Sequence, residues 1–275
     1  MLTSPIPPMG ANWHMLAFNL TASGTAGYQA LQAAIDNVFT VKGTNFQNPY
    51  NAAAFAAYCQ STNLIRARIN TPSLRLRGFP QIVPFVNAAI VPDNAAVMDL
   101  HDHPIYLRPD EDIEIDADPG ANADVVTAFL WLVMGNASYP TLNANVNGRD
   151  LRWVRYTSSI TTVANTWTLG TITLEDTLEG GSYDVYGATC WGATMIGFRL
   201  LFQNQYWRPG TLAATAPSKR LPIPWLEQRQ GLWGNFNTYS LPQIEVFNSA
   251  AVAPAAITGD MLIAKSSDQF RGMSM

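Results

Sequence analysis

Apolar residues alternate with polar ones along much of this chain, with the period of a half-buried β-strand. Three such runs follow one another between Thr166 and Phe202. In the first, Trp167 and Leu169 share one face while Ile172 and Leu174 share the other. That slip at Gly170-Thr171 reads as a β-bulge, where a strand passes from one sheet to another. In the second, Tyr183, Val185 and Trp191 point one way and Asp184 the other. In the third, Ile196, Phe198, Leu200 and Phe202 line one face and Arg199 is turned out. Turns at Glu179-Gly180-Gly181 and Gly192-Ala193 separate the runs, so the pattern predicts a meander, the seed of a β-sandwich or barrel.

The same period recurs elsewhere. Trp13 to Leu20, Asn63 to Ile69 and Leu74 to Arg77 read as strands, followed by a short strand between Phe79 and Val91. Ala95 to Leu107 is another, interrupted near Pro104. Asp112 to Asp118 alternates strictly, with Ile113, Ile115 and Ala117 inward and the acids outward. Val125 to Met134 is apolar on both faces, the mark of a central strand covered on both sides. Leu151 to Tyr156, Leu241 to Phe247 and Met261 to Ala264 complete the set. Helical spacing of Tyr28, Leu31, Ile35 and Val38 or Phe39 predicts one short helix, and the Ala-rich Asn51 to Tyr58 predicts a second. Residues 1–62 therefore read as a neutral N-terminal strap with two short helices, and residues 63–275 as a β-sandwich with long loops. With about ten to twelve strands, a single jelly roll fits best, and a compact double one fits the length.

Composition changes the picture in one respect. Only 13% of the 275 residues are charged, against roughly 25% in ordinary soluble proteins. A compact monomer needs a charged skin, so the simplest partner to cover this surface is another copy of the chain. The rival reading is a neutral Asn/Thr/Ser-rich surface. A formal net charge of −4 and the lack of a basic arm argue against sequence-specific nucleic-acid binding. Only Lys42, Lys219 and Lys265 are lysines among 16 basic residues, and Arg dominance suits partly buried contacts. Cys59 and Cys190 read as buried free thiols. Residues 1–65 carry only Asp36 and Lys42 as charges, so a membrane-facing role there would lack the basic face of an interfacial helix.

Candidate chemistry is sparse. His101 and His103 lie at i and i+2, a spacing used by cupin metal sites. Leu107 and Arg108 stand where such a site needs a Glu, and no His follows, so the pair reads as ordinary polar residues before Pro104. The acidic run from Asp110 to Asp118 holds Asp112, Glu114 and Asp116, which would face solvent, an Arg-rich surface or a Ca²⁺ ion. Arg66, Arg68, Arg75 and Arg77 are its natural counterpart, on the same or a neighbouring subunit. Trp207, Trp225 and Trp233, in a Pro- and Gly-rich stretch with several Arg, suit subunit-interface anchors or sugar-stacking platforms. Nucleophile-elbow and phosphate-loop sequences are missing, and the expectation is a protein that is not an enzyme.

These features together (sandwich, long decorated loops, neutral N-terminal segment, Arg-rich contacts) resemble the jelly-roll coat proteins of non-enveloped icosahedral viruses, especially the tailless bacterial and archaeal ones. The resemblance covers residues 63–264 as texture, and no signature motif carries functional residues across. It implies a virion shell component built from trimers or hexamer-like capsomers of this chain, in contact with other virion proteins and needing no cofactor. A carbohydrate-binding sandwich of fibre or tail type is the second reading, and a cupin-like metal-dependent enzyme the third.

Overall fold

The computed structural model describes residues 12–24, 27–48, 50–72, 74, 81–83, 85–87, 97–100, 104–134, 150–203, 205–214, 232–252 and 255–266. The first half of the chain supplies β1 (Trp13–Thr21), β2 (Gln29–Ala30), β3 (Gln32–Ala33), β4 (Thr40–Lys42) and β5 (Asn45–Asn48). Next come β6 (Ala52–Ser61), β7 (Leu64–Ile69), β8 (Gln81–Val83), β9 (Phe85–Asn87) and β10 (Met98–Asp99). It closes with β11 (Ile105–Leu107), β12 (Glu111–Ile113), β13 (Ile115–Pro119) and β14 (Val125–Met134). The second half supplies β15 (Arg152–Ile160), β16 (Trp167–Thr171), β17 (Thr173–Leu174), β18 (Ser182–Trp191) and β19 (Met195–Leu201). Its remaining strands are β20 (Gly210–Leu212), β21 (Gly234–Asn237), β22 (Gln243–Asn248) and β23 (Ala255–Lys265).

Each half is a sandwich, and the two share one strand order. In the first, a sheet ordered β1-β14-β6-β10 faces a sheet ordered β2-β13-β7-β8. In the second, β15-β23-β18-β21 faces β16-β22-β19-β20. Counting the eight principal strands of each half in chain order, one sheet holds the first, eighth, third and sixth. The other holds the second, seventh, fourth and fifth. That is the double Greek key of a jelly roll, and the chain contains it twice. The single jelly roll favoured by the strand count gives way to the double one, because many strands are only two or three residues long and leave little periodic signal.

The sandwiches are stacked through the β1-β14-β6 sheet. Leu16, Phe18, Leu130 and Leu132 point into the first core. Met15, Ala17, Phe129 and Trp131 point the opposite way and join the core of the second half. β14 is therefore buried on both faces, as its unbroken apolar run predicts. Gly197 on β19 makes the contact close, since a Cβ there would stand 2.9 Å from the Phe129 ring.

The two predicted helices are strands. Tyr28 to Phe39 carries β2 and β3, and Asn51 to Tyr58 falls largely in β6, which runs antiparallel to β14. Alanine has the highest helix propensity, but propensity is a small term that tertiary pairing overrides. Here all ten residues of β6 are buried, and small side chains let two cores close on one strand. The described residues up to 62 thus supply β1, β2 and β6, the first three principal strands of the first jelly roll, with β3 to β5 between them, and not a helical strap. The meander is also corrected. β18 pairs with β23 and β21, whereas β19 pairs with β22 and β20, so successive strands alternate between facing sheets. The slip at Gly170-Thr171 does mark such a crossing, because β16 and β17 belong to opposite sheets.

Candidate functional site

The junction of the two sandwiches holds a buried polar cluster drawn from five distant positions. β19 places Arg199 on the face turned away from its own core, directly opposite Glu245 of β22. Arg199 Nε donates to Glu245 Oε2. Its Nη1 donates to Asp36 Oδ2 at 2.5 Å and to the carbonyl of Met15 at 3.0 Å, both in the first sandwich. Arg208 Nη1 donates to the other Glu245 oxygen at 2.6 Å. Asp36 Oδ1 also accepts the backbone N–H groups of Val38 and Phe39, which fixes the turn that carries it. The Arg199 guanidinium lies 4.2 Å from the centroid of the Trp167 ring, a cation–π contact made in a dry site.

His14 completes the cluster. The backbone N–H of Arg208 donates to its Nδ1 at 3.0 Å, so Nδ1 is unprotonated and Nε2–H donates to Asp36 Oδ2 at 3.1 Å. The 3.3 Å approach of Arg199 Nη1 to the same Nε2 joins two donors and is a contact, not a hydrogen bond. Neutral His14 leaves two carboxylates balanced by two guanidiniums. Burial pushes the imidazole below its ordinary value of 6.5, with Arg199 and Arg208 adding to the effect against the pull of Asp36. For Asp36 burial opposes ionisation, but Arg199 foremost holds the carboxyl well below its ordinary value. These groups make a fastener between the two halves.

A cleft of about 520 Å³ opens beside the fastener, with walls from both sandwiches. Its buried lining is Val38, Ile172, Phe202 and Pro242, and its exposed lining includes Asn37, Gln203, Tyr206 and Gln243. Gln205 and Arg208 also line it. Tyr206 packs edge-on to Trp207, with ring centroids 5.1 Å apart, and its hydroxyl meets that of Tyr50 at 3.3 Å.

On the outer face of the first sandwich the expected Arg–acid pairing occurs within the chain. Asp116 stands opposite Arg68, and Asp118 opposite Arg66, in the β13–β7 register. Arg68 Nη2 lies 2.9 Å from Asp116 and Arg66 Nε 2.8 Å from Asp118. Both guanidiniums lie over the Tyr28 ring, at 3.7 Å for Arg68 and 4.6 Å for Arg66. The acids do not share one face, because the strand breaks at Glu114 and its halves join different sheets. Glu114 accepts from Asn45 Nδ2, and Asp112 pairs with Gln47 in the β12–β5 register. Among the described residues no three His, Cys, Asp or Glu side chains gather to hold a metal ion.

Trp207 is half-buried between Tyr50 and His14. Trp233, expected at a subunit interface, is inside the chain, 2% exposed and 5.2 Å from the Trp13 ring. Cys59 and Cys190 are buried free thiols. His101, His103, Arg75, Arg77 and Trp225 lie outside the described residues. The fastener is what the sequence reading missed. Its signals were a lone Asp36 in a nearly chargeless segment, His14 inside an apolar strand, and Arg199 in the middle of another.

No family model matches the chain, and no curated protein does. Among solved structures, the chain is similar to the major capsid protein P2 from bacteriophage PM2. The TM-score is 0.23 and the identity 9%, over 92% of this chain and 97% of that chain. A likeness at that level decides neither fold nor function.

Proposed function

We propose that this chain is a structural virion protein, copies of which assemble into an icosahedral capsid shell. The observation that carries the reading is the pair of jelly rolls fastened into one block by a buried charged cluster and a shared aromatic core. Jelly rolls recur in viral shells as well as in lectins and cupins, so the order of strands alone does not choose among them. What favours a shell is that the described interior is given over to packing while the surface stays poor in charge. Ile35, Ile65, Tyr106, Trp153, Leu169 and Tyr239 are exposed large apolar residues on the two sandwiches, which neighbouring copies would cover. The assembly units are trimers or hexamer-like capsomers, with other virion proteins as further partners. Light scattering coupled to size exclusion tests the reading: purified protein runs as multiples of the chain or as particles, and a sugar-binding species that stays monomeric at every concentration overturns it.

A further inference from the structure

We propose that the cleft at the junction of the two sandwiches binds a neutral polyhydroxylated ligand, the pyranose end of a glycan. Its volume of about 520 Å³ falls within the range of small-molecule clefts, roughly 300–1,000 Å³. Charge decides the ligand class. Among the described residues no carboxylate or lysine lines the cleft, and the one cation that does, Arg208, already gives Nη1 to Glu245 at 2.6 Å. An anion or a cation entering would lose its hydration without gaining a counter-charge. The remaining polar lining is mostly side-chain amide: Asn37, Gln203, Gln205 and Gln243. Each amide offers donors and an acceptor side by side, which suits hydroxyl groups that both donate and accept.

Gln205 sharpens the point. Its Nε2 donates to the carbonyls of Trp207 at 3.0 Å and Trp233 at 2.9 Å, while its Oε1 is buried with no donor among the described residues. An orphaned acceptor is costly unless something else supplies the proton. The apolar lining of Ile172, Phe202 and Pro242 accepts the C–H face of a sugar ring. The exposed Tyr206 ring, held by its packing on Trp207, offers a flat wall. This proposal needs only the cleft and does not rest on the shell role.

The test is saturation-transfer NMR on the intact protein. The probes are the methyl α- and β-pyranosides of glucose, galactose and mannose, with methyl phosphate, whose methyl protons report transfer, as the anionic phosphate control. Transfer to at least one pyranoside is expected, with none to methyl phosphate. In the double variant Gln203→Ala, Gln243→Ala, whose side chains are exposed and outside the fastener, affinity should fall at least five-fold at unchanged Tm. A Tyr206→Leu variant should weaken binding similarly. No transfer to any pyranoside, transfer unchanged in both variants, or methyl phosphate binding in place of sugar each overturns the proposal.

Discussion

Arg199 and Glu245 stand opposite each other across β19 and β22, on the face of that sheet turned away from its own core. Both side chains are buried by the first sandwich, and Arg199 reaches through to Asp36. A guanidinium is the side chain that spans two carboxylates and stacks on Trp167 at once. Arg199→Ala leaves the buried Asp36 carboxylate without its guanidinium, held only by the neutral imidazole and the Val38 and Phe39 N–H groups. The expected loss is about 3–5 kcal/mol, read from the urea midpoint by tryptophan fluorescence. Arg199→Lys should recover little of it, because one ammonium cannot serve both acids.

The pH dependence follows from His14. Its folded-state value lies below the ordinary 6.5, so between the two values the unfolded chain binds a proton that the folded chain does not. Stability is therefore full above about pH 6.5 and falls as pH drops from there toward the folded value. Asp36, held low, adds a loss that begins as pH falls through its ordinary value of 3.8. Urea midpoints between pH 7.5 and 5 should fall in the native protein and fall less steeply in His14→Gln. An equal slope in both would remove His14 as the cause.

Two glycines separate tight packing from adjustable packing. At Gly259 a Cβ would stand 2.2 Å from the Tyr156 ring and 2.3 Å from the carbonyl oxygen of Thr189. Neither neighbour can yield, so Gly259→Ala should abolish soluble expression. At Gly170 the clash is with the end of the Ile160 side chain, at 2.2 Å, which can rotate. Gly170→Ala should cost about 1–3 kcal/mol and Gly170→Val more, as a drop in Tm. Unchanged stability of Gly170→Val would remove the argument for close packing at the sheet crossing.

The strands whose burial follows from local pattern were legible in the sequence, and those set by remote partners were not. Val125 to Met134 declares a doubly covered strand because both of its faces are apolar. Asn51 to Tyr58 is as deeply buried, but its alanines carry helix propensity and no alternation, and only pairing with β14 makes it β6. Alternation told which way Phe198 and Arg199 point. It could not tell that the outside of one sandwich is the inside of a junction, because residues 14, 36, 199, 208 and 245 meet only after both halves have folded. Edge pairing was likewise hidden, since period-2 patterning fixes a face and not a neighbour.

The two thiols provide a check on the core. Burial raises both, and Cys190 is pushed up to about 12, with Tyr156 beside it. Neither is a thiolate at ordinary pH, and the thiolate is the reactive form. Ellman's reagent at pH 8 should find no accessible thiol in the native protein and two after denaturation. Fast labelling of the native protein would mean that one core is open.

The central claim is that these fastened jelly rolls are building blocks of a shell, and negative-stain imaging of the purified full chain addresses it most directly. Closed particles or uniform multi-copy capsomers are the predicted result. A field of single, dispersed chains at concentrations up to those used for structural work would contradict it.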